Sequence, residues 1–183
     1  MDAKLDKIVT AAFRLFHQHG FKKVTMSDLA AAAEMSRPTL YAACASKEAV
    51  FAALIQRQHE RGDAELALRL PRARSLTSRL GVLFDVWILE PFASVVDSPN
   101  GLDLLANGHT YAPDAYDSTY SRFEAHLVSV LAPAMKGRRA LSAADLAHIL
   151  MLATRGLKAS VTTLAELQRF TQGLIAMAVA TAG

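Results

Sequence analysis

Apolar residues recur at helical spacing along almost the whole chain. Leu5, Ile8, Val9, Ala12, Leu15 and Phe16 form one face of a first helix, and Gly20 stands where that helix should stop. Thr25 opens a second, short helix. Asp28, three residues on, completes a capping-box pattern, and Leu29 with the alanines at 30–33 gives small sides. A break at Glu34-Met35 leads to Ser36, an N-cap, with Pro38 in the first turn of a third helix from Arg37 to about Ala43. Ser46 caps a fourth, which turns Phe51, Leu54 and Ile55 inward and runs towards Leu70 before Pro71.

The later helices are longer. Ser75 to about Val95 carries Leu76, Leu80, Leu83, Phe84 and Trp87, with Pro91 expected as a kink or early end. The stretch Asp97–Asp117 holds Pro99, Gly101, Gly108 and Pro113 and reads as broken helix and loop. Asp114 to about Leu131 is helical again, and Lys136-Gly137-Arg138-Arg139 reads as a loop. Ser142/Asp145 and Thr163/Glu166 have capping-box spacing and open two last helices, one carrying Leu146, Ile149, Leu150 and Leu157, the other Leu164, Leu167, Phe170, Leu174 and Met177.

Composition agrees. The 183 residues include 34 alanines and 25 leucines, against 9 glycines and 6 prolines, too little turn chemistry for a many-stranded sheet. The expected fold is all-α, about nine helices, with a three-helix helix-turn-helix domain over 1–50 and a larger helical domain over 51–183. The net charge of +3 permits nucleic-acid binding without requiring it. Residues 1–60 hold eight Lys/Arg and six Asp/Glu, so a few placed side chains, not bulk charge, would have to bind DNA. The start Met1-Asp2-Ala3-Lys4 has no signal-peptide pattern. The longest uncharged stretch near the C-terminus, 170–183, is too short to span a bilayer, and the single cysteine, Cys44, cannot form an intramolecular disulfide. These features set the expectation of a cytoplasmic protein with no membrane partner.

Two short helices joined by a tight turn after a longer one have helix-turn-helix spacing. The second is small enough for a major groove about 12 Å wide, with the first bracing it. The same spacing also fits a helical hairpin in a bundle core. The residues favour the former. Gly20-Phe21-Lys22-Lys23-Val24-Thr25-Met26-Ser27-Asp28-Leu29-Ala30, then Met35-Ser36-Arg37-Pro38-Thr39-Leu40-Tyr41, then Ser46-Lys47-Glu48-Ala49-Val50-Phe51, resemble the N-terminal signature of the TetR (tetracycline-repressor-like) transcriptional regulators. The resemblance covers about the first 55 residues. It implies a homodimeric repressor that binds double-stranded operator DNA and is released by a small molecule bound to its C-terminal domain.

The resemblance also implies roles for single positions. Ser36, Arg37, Pro38 and Thr39 start the recognition helix, with Arg37 on a guanine or a phosphate. Tyr41 matches a phosphate-contacting tyrosine. Lys47, opening the fourth helix, would meet another phosphate, and Thr25 and Ser27 would hold the backbone from the bracing helix. Three departures stand out. Glu34 fills the turn position where glycine is usual. Ala42 and Ala43 stand where larger side chains are common. Cys44 takes a core position and reads as a small buried hydrophobe before a redox sensor.

A helix-turn-helix of this size reads few base pairs, so dimerisation on a pseudo-palindrome is expected. Ala153, Gly156 and Ser160 offer a small-sided stripe, flanked by Leu157, and Leu167, Phe170, Leu174 and Met177 a long apolar face, for a symmetry mate. Between the two ends lie Phe84, Trp87, Tyr111, Tyr116, Tyr120 and Phe123, with His126, Met151 and Arg155 as further candidates for a ligand pocket; core packing is the alternative for each. No cofactor is implied. Asp145 and His148 have metal-ligand spacing but lack the second pair that a helix-bundle metal site needs, and no P-loop, G-x-S-x-G or H-E-x-x-H occurs, so neither a catalytic nor a metal site is assigned. The alternative to a regulator is a helical ligand-binding or adaptor protein whose DNA binding is weakened at Ala42, Ala43 and Cys44.

Overall fold

The computed structural model describes residues 3–137 and 141–183; Met1, Asp2 and the Arg138-Arg139 half of the expected loop lie outside them. The described chain is helical, with no strand. Its elements are α1 (Ala3–His19), α2 (Met26–Ala32), α3 (Arg37–Ala43), α4 (Lys47–Arg69), α5 (Leu76–Phe84), α6 (Glu90–Val96), α7 (Gly101–Tyr111), α8 (Pro113–Leu131), α9 (Ala143–Ser160) and α10 (Leu164–Ala182). A π turn, Asp85–Leu89, joins α5 to α6 without a break, so the run counts as one interrupted helix and the described total as nine.

Local chemistry sets most of these boundaries. Thr25 and Asp28 form a full capping box on α2, Ser142 and Asp145 one on α9, and Ser75 and Ser78 one on α5. At Thr163 the hydroxyl accepts from the Glu166 N–H at 3.3 Å. Pro91 does not end its helix, which runs on to Val96. Proline lacks an N–H and its ring would strike the carbonyl four residues back; the π turn directly before it widens the ladder there, with the Glu90 N–H bonded to the Asp85 carbonyl instead.

The stretch expected as broken helix and loop is instead an eleven-residue helix, α7, followed by α8 starting on Pro113. Its glycines answer to packing rather than to turns. A Cβ on Gly101 would lie 1.7 Å from the Val95 carbonyl oxygen, and one on Gly108 would lie 2.7 Å from the Tyr116 ring. Pro113, at the first helical position, loses nothing by lacking an N–H.

The chain forms two compact units. One comprises the residues up to Glu60 together with Val95–Asp117; the other comprises Arg61–Ser94 and Ser118–Gly183. In the first, α1 packs on α2, α3 and α7. Its core is aromatic: Phe21 and Tyr111 stack with centroids 4.0 Å apart, and Phe51 meets both edge-on at 5.5 and 5.7 Å. Asn100 fastens α7 further by donating to the His17 carbonyl at 3.0 Å. In the second unit α10 packs on α5 and α9, around fully buried Leu80, Leu83, Phe84, Phe123, Leu127 and Leu131.

Candidate nucleic-acid interface

The turn between α2 and α3 fixes the geometry of the motif. The Glu34 N–H bonds the Ala31 carbonyl (3.1 Å) and the Met35 N–H bonds the Ala30 carbonyl (3.0 Å), the paired bonds of a Schellman motif. Glu34 therefore adopts φ +54°, a left-handed conformation that favours glycine. Met35, just beyond, packs against the core. Ser36 then caps α3: its hydroxyl accepts from the Thr39 N–H at 3.2 Å and pairs with the Thr39 hydroxyl at 2.8 Å.

This arrangement sorts the eight expected DNA-contacting residues. Ser27, Arg37, Pro38 and Tyr41 are exposed, Tyr41 with 43% of its surface open. Thr39 is half-buried beside the Ser36 cap. Thr25 is exposed, but its hydroxyl donates to Asp28 at 2.7 Å and accepts the Asp28 N–H. The Thr25 hydroxyl, with the Thr25 N–H that donates to the same carboxylate oxygen at 2.8 Å, holds the Asp28 carboxyl below its usual range, so it stays charged at the positive end of α2. Ala42 and Ala43 are exposed next to Tyr41, and nothing longer than a methyl projects there.

Lys47 differs most from expectation. Its ammonium donates to the carbonyls of Phe21 (2.8 Å), Val24 (3.0 Å) and Lys22 (3.4 Å), and stands 4.5 Å over the Phe21 ring. The charge assigned to a phosphate is held by the α1–α2 loop, and its three donors are occupied. Cys44 lies buried at the end of α3, where burial pushes its thiol pKa up. That suits a packed hydrophobe and disfavours the thiolate a redox sensor needs.

In the second unit Ala153, Gly156, Leu157, Ser160, Phe170, Leu174 and Met177 line one groove of about 510 Å³ between α9 and α10. Leu167 lies fully buried in the core instead. Ile149, Leu152 and Met177 are each more than half exposed, so this face is apolar and uncovered in the single chain. The expected ligand set is divided. Tyr111 and Tyr116 belong to the first unit, Tyr111 in its aromatic core. The other seven belong to the second. Phe84 and Phe123 meet edge-on at 5.3 Å, Trp87 and Met151 are buried, and Arg155 stands 5.1 Å over the buried Tyr120 ring. His126 lies 5.0 Å from Trp87 and bonds Asp63. Asp63 was not anticipated; its partners lie about sixty positions away, and no local pattern announces them.

Residues 8–54 match the family model of bacterial regulatory proteins, tetR family. Over 117 residues the chain is 36% identical to the HTH-type transcriptional repressor ComR of Escherichia coli (strain K12), which covers 63% of this chain and 53% of that protein. The chain thus spans about half the length of the curated relative it matches. A putative TetR-family transcriptional regulator from Rhodococcus sp. superposes with a TM-score of 0.74 at 17% identity, over 96% of this chain and 98% of that one. The fatty acid degradation regulator FadR from Bacillus halodurans does so with 0.73 at 17% identity, over 96% of both. At such identities the likeness is one of fold.

Proposed function

We propose that the chain is a member of the tetR family of bacterial regulatory proteins, whose family model matches residues 8–54, and that it is a ligand-responsive transcriptional repressor. It binds a pseudo-palindromic operator as a homodimer in the cytoplasm, and a small molecule releases it; it is not an enzyme. The observation that carries this reading is α3: a capped, seven-residue helix with Arg37, Pro38 and Tyr41 exposed, set on α2 by the Glu34 turn. Arg37 pairs with guanine or a phosphate, and Tyr41 with a phosphate. Lys47 acts one step back, holding the loop that leads into α2. The uncovered α9–α10 face supports self-association, because an apolar surface of this kind is covered in a stable oligomer. The second unit takes the effector. Among the described residues no helix is long and apolar enough to cross a membrane, and no cluster of candidate metal ligands occurs.

Footprinting on the DNA upstream of its own gene tests the reading. The expected result is two protected half-sites, centred about one helical turn or a multiple of it apart, as dimeric helix-turn-helix proteins require. A folded protein that protects no site at low salt would favour the second reading, a ligand-binding or adaptor protein. The observation on that side is the pair of exposed methyls, Ala42 and Ala43, on the outer face of α3.

A further inference from the structure

A groove of about 450 Å³ in the second unit has an apolar wall and one unmatched cation. Leu66, Leu70 and Pro71 form the wall; Asp63, Arg79 and His126 provide the polar atoms. Each oxygen of the Asp63 carboxylate already has a partner. Arg122 Nη1 donates to one oxygen at 2.9 Å, and His126 Nε2 pairs with the other at 2.8 Å. Arg79 is left over: its Nε is buried and has no hydrogen-bond partner among the described residues. An unpaired Nε–H shielded from water is unfavourable, and an acceptor entering the groove that Arg79 lines would relieve it. With Asp63 balanced by Arg122, the groove carries an excess positive charge beside apolar surface. We infer that this groove binds a small amphiphilic monocarboxylate, its carboxylate on Arg79 and its apolar body along Leu66, Leu70 and Pro71. Arginine suits a planar carboxylate because its fork offers parallel donors, and the volume lies in the range of small-molecule sites. As the effector site, this assignment rests on the repressor reading; as a binding site, it stands without it.

The single tryptophan provides the readout, since Trp87 lies 5.0 Å from His126 in the groove wall. Titration of the full-length protein with hexanoate, hexanol and hexyltrimethylammonium, followed by Trp87 fluorescence and calorimetry, measures the preference for charge. Hexanoate is expected to bind saturably, at least about tenfold more tightly than either analogue. Arg79→Gln should remove that preference, and Arg79→Lys should keep part of it, with thermal midpoints confirming that both variants are folded. Equal binding of all three probes, absence of hexanoate binding, or an unchanged preference in Arg79→Gln would overturn the site. DNA affinity is read separately in the same samples. Arg79-dependent hexanoate binding that leaves DNA affinity unchanged would uphold the site and contradict its role as effector pocket.

Discussion

The ammonium of Lys47 donates to the main-chain carbonyl of Phe21 at 2.8 Å and stands 4.5 Å over the ring of the same residue. One side chain thus anchors both the α1–α2 loop and the aromatic cluster that fastens α7. Lys47→Met keeps the stem but leaves the Phe21 and Val24 carbonyls without their donor. We expect a loss of about 1–2 kcal/mol in urea unfolding and weaker DNA binding, with the salt dependence of binding unchanged. If instead the slope of log K against log salt falls by about one while stability holds, Lys47 is itself a phosphate contact.

Glu34 is exposed and held at φ +54° by the two bonds of the Schellman turn. Glu34→Gly should therefore stabilise the protein by about 0.5–1 kcal/mol, the left-handed penalty removed less the extra flexibility of the unfolded chain. Glu34→Val should be destabilising. Chemical denaturation of the three proteins checks this, and an unstable glycine variant would contradict the turn geometry.

Arg37 and Tyr41 should separate readout from positioning. Arg37→Ala should lower operator affinity by about 1–3 kcal/mol and relax preference at one or two base positions. Tyr41→Phe, which removes only the hydroxyl, should weaken binding by a similar factor on every sequence. Affinity across a set of singly substituted operators distinguishes the two patterns.

Gly156 and Gly173 lie on α9 and α10, and a Cβ at either meets nothing within 4 Å in the single chain. Glycine in a helix costs about 1 kcal/mol against alanine, so nothing inside the protomer favours it there. Close approach of a second copy would. Gly173→Leu should keep full helicity yet shift a dimer to monomer in analytical ultracentrifugation. A variant that remains dimeric would place the interface elsewhere.

Lys158, half-buried, follows Ala147, Met151 and Thr154 along α9, and desolvation lowers its ammonium from the usual 10.5 to about 8. Between those values the unfolded chain binds more protons than the folded one. Stability therefore rises as pH climbs from about 8 to about 10.5, and the destabilisation is full below about 8. Lys158→Met should stabilise the protein at pH 7 by on the order of 2 kcal/mol, and the advantage should vanish near pH 10.5. A difference between the two proteins that does not change with pH would mean that Lys158 stays solvated.

Helix ends were legible wherever a side chain caps its own backbone, as at Thr25, Ser36 and Ser142, because that chemistry spans three residues. The strain at Glu34 was legible for the same reason. The segment around α7 was not. Gly101 and Gly108 look like loop residues, yet each is small because a distant or neighbouring segment touches it. Tyr111 was expected among ligand-pocket aromatics, but its stacking on Phe21 depends on a contact across ninety positions. Lys47 carried a correct position and a different partner: a sequence shows the charge but not the three carbonyls that surround it.

The most direct test of the account is equilibrium binding of the protein to the footprinted fragment and to a scrambled fragment of equal composition, over a salt series. The prediction is at least about a thousandfold preference for the footprinted fragment, with log K falling linearly in log salt at a slope set by a handful of phosphate contacts. Equal affinity for the two fragments, from a folded protein at every salt concentration, would contradict it.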